Sequence, residues 1–333
     1  MRLALKLLTS SAFMMGAALV ISLITNFSGV FPAGKTIVFG DITVTDVTSN
    51  LTILLLAVMM TISLSRIPSR NLSPAKNPLA IVRGILIGVV IASIIPIIGY
   101  LMLKDTQYAD YAKGLVFIAA TPFAASVAPL SYILRGDMEH AVRTTIYAYV
   151  LSLAWIPFIV FILLRETVNM TDLFITVVEC IGIPLVISRF LVKVKIDKVK
   201  MAIVLNSIIA FLVWMSVSAT NFGNEMWILA AFMLIAGLRT FGLGIAVEIT
   251  EKRLKIQWSQ RVTDILMMSY KNKGIAIALC VATMGPLVPF AMVAVATSII
   301  IETCWVMTMD SVIFSRKRMK RELAKEGLEI SDP

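Results

Sequence analysis

Long apolar runs divide the chain, at roughly 3–25, 49–65, 80–103, 114–133, 141–164, 173–192, 201–220, 226–247, 262–283 and 287–309. Each comes close to the ~20 residues a helix needs to cross the hydrocarbon core of a bilayer. The runs are continuous, not alternating apolar with polar, so they predict α-helices and exclude the strands of a transmembrane barrel. The first run, flanked by Arg2 and Lys6, lacks a small-x-small cleavage site and exceeds the usual apolar stretch of a signal peptide, so it reads as a span. The pattern predicts an all-α polytopic membrane protein of ten transmembrane helices.

Composition agrees with the pattern. Of 333 residues, 59% are hydrophobic and 15% charged, and mean hydropathy is +0.90. Soluble domains sit at about 45–50% apolar and about 25% charged. The excess must face lipid, which excludes a soluble enzyme, a nucleic-acid-binding domain and a disulfide scaffold. Cys180, Cys280 and Cys304 all lie inside apolar runs and read as small core residues. The single histidine, His140, falls in a polar connector with Asp137 and Glu139, a cluster that reads as a solvated turn.

Net charge is +10, and its distribution sets an orientation. Alternate connectors and both ends carry 24 Lys and Arg, Arg239 counted among them, while the opposite connectors hold only Lys35, Lys104, Lys113 and Arg165. By the positive-inside rule both termini are cytoplasmic, in a multi-pass protein of the plasma or inner membrane. The basic stretch Arg316–Arg321 reads as a stop-transfer flank or as a contact for anionic lipid.

An even division falls near Arg165, giving a first half (1–165), a second half (166–315) and a basic cytoplasmic tail (316–333). Five spans are an odd number, so the second half enters the membrane from the opposite face. That is the arithmetic of inverted repeats in secondary transporters, whose sites lie between the repeats near the midplane. The fourth span of each half is interrupted. The first interruption runs Thr121-Pro122-Phe123-Ala124-Ala125-Ser126, with Pro129 beyond it; each proline removes a helical hydrogen bond and frees carbonyls upstream. The second runs Ser269-Tyr270-Lys271-Asn272-Lys273-Gly274. A kink accounts for the first as well as a site does, and snorkelling lysines are the plain alternative for the second. Matching breaks in both halves favour a transporter site.

At these residues the chain resembles the bile acid:sodium symporter family. Ala57–Leu64 is similar to the family's early Gly-Met-Gly-Leu stretch, Tyr132-Ile133-Leu134-Arg135-Gly136-Asp137 to its Tyr-Leu-Ala-Arg-Gly-Asp-like turn, and Lys271-Asn272-Lys273-Gly274-Ile275-Ala276 to its Gln-Asn-Ser-Gly-Leu-Ala segment. The resemblance implies two inverted five-helix repeats, crossing broken helices four and nine, and uptake of an organic anion, often with sodium. It also implies helix breaks at Pro122, Pro129 and Gly274. Around them, Thr121, Phe123, Ala125, Ser126, Tyr270, Lys271, Asn272, Lys273, Glu302 and Thr303 become the expected substrate-binding residues.

The departures concern the coupling ion. The family's helix-four Ser-Asn pair falls on Val127 and Ala128, its helix-nine glutamate on Met267 and its glutamine on Lys271; Thr145 retains the helix-five threonine. A hard cation wants about six oxygen ligands, and most of those for sodium are gone. The expectation is therefore no cofactor and no metal, sodium being the one ion the resemblance still allows, with an ammonium in sodium's place and uptake that is passive or proton-coupled. Thr145, Glu179, Asp264 and Lys271 are the coupling candidates, with Glu302 the better partner for the lysines and Asp264 a second one. The expected partners are a small organic anion and the lipid bilayer.

Other classes remain in view. A sodium- or proton-coupled symporter of another solute class is the first alternative. A channel would show filter rings and oligomer symmetry. An intramembrane enzyme would need a nucleophile and base, and Ser269 with Lys271, two apart on a helix, diverge. Gly237–Gly242 follows no strand and is not a phosphate loop.

Overall fold

The computed structural model describes residues 7–9, 11–28, 38–39, 42–65, 77–192, 197–218 and 226–326. Apart from a short antiparallel hairpin (Val38–Phe39 with Ile42–Thr43), its described elements are helical. The basic residues Arg2, Lys6, Arg66, Arg70, Lys76, Lys193 and Lys195 lie outside the described residues.

The helices are α1 (Ser11–Phe27), α2 (Val44–Ser65), α3 (Pro78–Leu103), α4 (Ala109–Ala120), α5 (Val127–Ile133), α6 (Met138–Leu164) and α7 (Met170–Leu191). There follow α8 (Lys198–Ser218), α9 (Met226–Gly237, continuing to Arg253), α10 (Trp258–Ser269), α11 (Lys273–Thr283), α12 (Val288–Thr308) and α13 (Arg316–Lys325). Among the described residues, five segments are long and apolar enough to cross a membrane: Pro78–Leu103, Met138–Leu164, Met170–Leu191, Trp227–Arg253 and Gly285–Val306. The remaining apolar runs appear as shorter helices, or as the two interrupted pairs α4–α5 and α10–α11.

Local chemistry marks the helix starts. Pro78 opens α3 after Asn77, whose side chain accepts from the Ala80 N–H, and Asp137 caps α6 by accepting from His140 N at 2.9 Å. Widened π turns interrupt α3 at Leu86–Ile91, α7 at Val178–Gly182 and α9 at Leu238–Gly242. Such turns release local backbone groups and often accompany functional sites.

Burial sorts the helices into two sets. α4, α10, α11 and α12 are enclosed: Leu115–Ala120, Val262–Ser269 and Ala291–Ala296 are all buried. α1, α2 and α7, by contrast, present Ile24, Leu54, Phe174, Val186 and Phe190 outward, as lipid-facing helices do. The inner set approaches closely because small residues permit it. A Cβ on Gly114 would overlap the Ala291 carbonyl, and one on Gly88 would lie 2.9 Å from the Met267 carbonyl and against the Phe123 ring. Gly88 thus lets α3 touch both interrupted helices at once.

Candidate functional site: a crossing of two broken helices

The interruptions Thr121–Ser126 and Tyr270–Asn272 cross as an antiparallel bridge between Phe123 and Lys271. Ala124 N donates to the Tyr270 carbonyl at 2.8 Å, and Asn272 N donates to the Pro122 carbonyl at 2.8 Å. Backbone groups released by each break are satisfied by the other, which non-helical backbone at membrane depth requires. Side chains lock the crossing. Tyr149 Oη donates to the Phe123 carbonyl at 3.1 Å and accepts from Asn272 Nδ2 at 2.7 Å. Asn272 Oδ1 caps α11 by accepting from Ile275 N at 3.1 Å.

The breaks are narrower than expected. Pro129 lies in the first turn of α5, where a missing N–H costs no intrahelical bond, and Gly274 is already the second residue of α11. Neither interrupts its helix; the interruptions are at Pro122 and around Lys271.

Lys271 is 1% exposed, and its ammonium is aimed at the end of α4. Nζ donates to the Thr121 carbonyl at 2.7 Å, to Ser93 Oγ at 3.1 Å and to the Ala119 carbonyl at 3.4 Å. A helix C-terminus carries orphan carbonyls and a partial negative charge, so a cation there is favoured.

Beside it, two basic side chains and a backbone N–H gather around one carboxylate. Glu302 from α12 pairs with Arg239 of the α9 π turn and with Lys273 Nζ at 2.9 Å, and accepts from the Lys271 backbone N at 3.4 Å. Arg239 Nη1 donates to the Ser269 carbonyl at 3.2 Å and Nη2 to Thr240 Oγ1 at 2.9 Å, so it braces the end of α10. Both Arg239 and Glu302 are buried. Arg239 therefore does not belong to a cytoplasmic connector, where the charge count put it, because the helix continues through Arg253.

A profile of the sodium bile acid symporter family matches residues 48–236, more than half of the chain. The chain belongs to that family. Its members are transporters and not enzymes, and this is a multi-pass membrane protein. No curated protein matches the sequence significantly. The matched stretch includes the first break and ends before Arg239, the second break and Glu302.

The family's coupling ion does not fit these residues. Val127, Ala128 and Met267 are buried and offer no side-chain oxygen, while the carbonyls at the end of α4 are already taken by the Lys271 ammonium. Thr145 donates to the Ala141 carbonyl at 2.7 Å within its own helix.

The other expected site residues are placed as follows. Thr121 donates to the Ile118 carbonyl at 3.1 Å and Phe123 is fully buried, while Ala125 and Ser126 are half-buried and Ser126 hydrogen-bonds the Tyr270 hydroxyl. Thr303 is buried on α12 with its hydroxyl on the Ile299 carbonyl at 2.9 Å. Glu179 sits half-buried in the α7 π turn, with no ion pair among the described residues. Asp264 does not pair with Lys271; its partners are Arg83 at 2.6 Å and His140 at 2.8 Å. His140 is accordingly buried, not part of a solvated turn, because it is drawn inward one turn past the Asp137 cap. Tyr149 and Arg239 are the members the sequence reading missed.

Proposed function

We propose that the protein is a secondary carrier of an organic anion, working by alternating access without sodium. The carrying observation is the Lys271 ammonium on the Ala119 and Thr121 carbonyls, a fixed cation at the end of a broken helix. An ammonium held there removes the need for a bound cation to hold the crossing together. Arg239 and Lys273 beside it supply more positive charge than Glu302 alone balances, which suits a carboxylate or sulfonate. The half-buried Tyr270 and Ala125 supply apolar surface for the body of such a solute.

In this reading, residues 1–165 and 166–315 are inverted five-helix repeats with ten spans in all. Support comes from the positions of the irregularities. The third and eighth spans carry the π turns Leu86–Ile91 and Leu238–Gly242, and the fourth and ninth carry the breaks. The charge asymmetry supports cytoplasmic termini in a plasma or inner membrane.

The test is uptake of taurocholate and of smaller carboxylates into proteoliposomes, with and without sodium, by wild type and Lys271→Gln. The wild type takes up at least one anion in sodium-free buffer, and Lys271→Gln loses most of that uptake. Unchanged uptake by Lys271→Gln would remove the site from the second break.

A further inference from the structure

Away from the crossing, α3, α6, α9 and α10 enclose a second group of buried charges. Asp264 is fully buried and both its oxygens are engaged: Oδ2 by Arg83, with Nη2 at 2.6 Å, and Oδ1 by His140 Nε2 at 2.8 Å. Arg83 Nη2 also reaches Gln260 Oε1 at 3.3 Å, and His140 Nδ1 faces Thr144 Oγ1 at 3.2 Å. Into this group α9 inserts Glu251, only 4% exposed. Neither Glu251 oxygen accepts a hydrogen bond from a described residue, and its nearest cation, Arg83 Nε, stands 3.5 Å off and already serves Asp264. Glu251 Oε1 and Asp264 Oδ2 thus flank the same Arg83 Nε, at 3.5 and 2.9 Å.

The surrounding charges do not supply a partner. On α9 itself Glu248 adds a like charge, and it is paired with Arg261 of α10 and Arg318 of α13. Glu322 of α13 takes the other arm of Arg261, and on α6 Arg143 is paired with Glu139.

Two ionised carboxylates are acceptors only and cannot hydrogen-bond each other. Two buried like charges that share one arginine do not both persist out of water. A single proton resolves the conflict: the Glu251 carboxyl donates to the Asp264 carboxylate, and one negative charge remains for Arg83. We propose that Glu251 and Asp264 form a proton-binding site that holds one shared proton at neutral pH. The proton comes from water and returns to water, so no other reactant is involved. α10 carries Asp264 at its middle and ends at Ser269, whose carbonyl accepts from Arg239, so the site and the crossing share one helix. Use of this proton as the ion moved with the anion rests on the carrier reading; its presence does not.

Infrared spectroscopy of the purified full-length protein tests the presence directly. The wild type at neutral pH shows a protonated-carboxyl C=O stretch that shifts in heavy water. The band is lost in Glu251→Gln, which mimics the neutral form and keeps the fold, and persists in Glu322→Gln. Should Glu251→Gln not fold, Glu251→Asp keeps a carboxyl and moves the band in frequency. No such band in the wild type, a band that survives Glu251→Gln, or one unmoved in Glu251→Asp would overturn the proposal.

Discussion

The two helix interruptions solve the same problem with opposite chemistry. The first, Thr121–Ser126, carries no charge and exposes carbonyls at the end of α4. The second, Tyr270–Asn272, brings an ammonium and an amide to meet them, and receives the Glu302 carboxylate in return. Neither break is self-sufficient. An unsatisfied polar group out of water costs several kcal/mol, so each is stable only because the other crosses it. What differs is where the charge resides: the first break has none of its own, and the second carries Lys271.

Removing the carboxylate that balances the second break has the largest effect. Glu302→Gln leaves Arg239 and Lys273 buried without a counter-charge, which costs about 3–5 kcal/mol. A fall in thermal midpoint in detergent measures it, and adding Lys273→Met recovers part of the loss. A midpoint equal to wild type would mean that the pair is not buried as described.

The link between the breaks is the next target. Tyr149→Phe deletes the donor to the Phe123 carbonyl and the acceptor for Asn272, a loss of about 1–2 kcal/mol. The same thermal assay detects it, and Asn272→Ala in that background adds less than it does alone, because the two share a network.

The smallest effect lies outside the crossing and separates it from the rest of α10. On α13, burial of the Glu322 carboxyl works against ionisation, but hydrogen bonds from Lys252, Lys325 and Arg261 outweigh it and hold the group at about 2. A carboxylate with a lowered folded value stabilises above its ordinary value of 4.5, and that contribution fades as pH falls from there to about 2. Limited proteolysis should therefore release the tail progressively over that acid range. Glu322→Gln should flatten the pH response without altering uptake at neutral pH.

Much of this was legible in the chain. Continuous apolar runs of ~20 residues are a strong signal because lipid allows backbone only helices or closed barrels, and barrel strands alternate; each run is occupied by a helix or a broken pair. Pro122 and the lysines stood out for the same reason. Arg239 was missed although it, too, lies within an apolar run; its glycine neighbours and its distance from the second break gave it the look of a connector. Its isolation between Leu238 and Thr240 inside the 226–247 run was the usable signal. Tyr149 had none, since a tyrosine four residues after Thr145 on a membrane helix is ordinary. Burial of His140 depends on Arg83 and Asp264, which only the folded chain brings together.

The central claim is that Lys271 stands where a coupling cation would otherwise sit. Its most direct measurement is initial uptake of a transported anion into proteoliposomes under an imposed inward sodium gradient, against an equal gradient of potassium. The account predicts equal rates in the two gradients for the wild type. A wild-type rate that rises with sodium would contradict it.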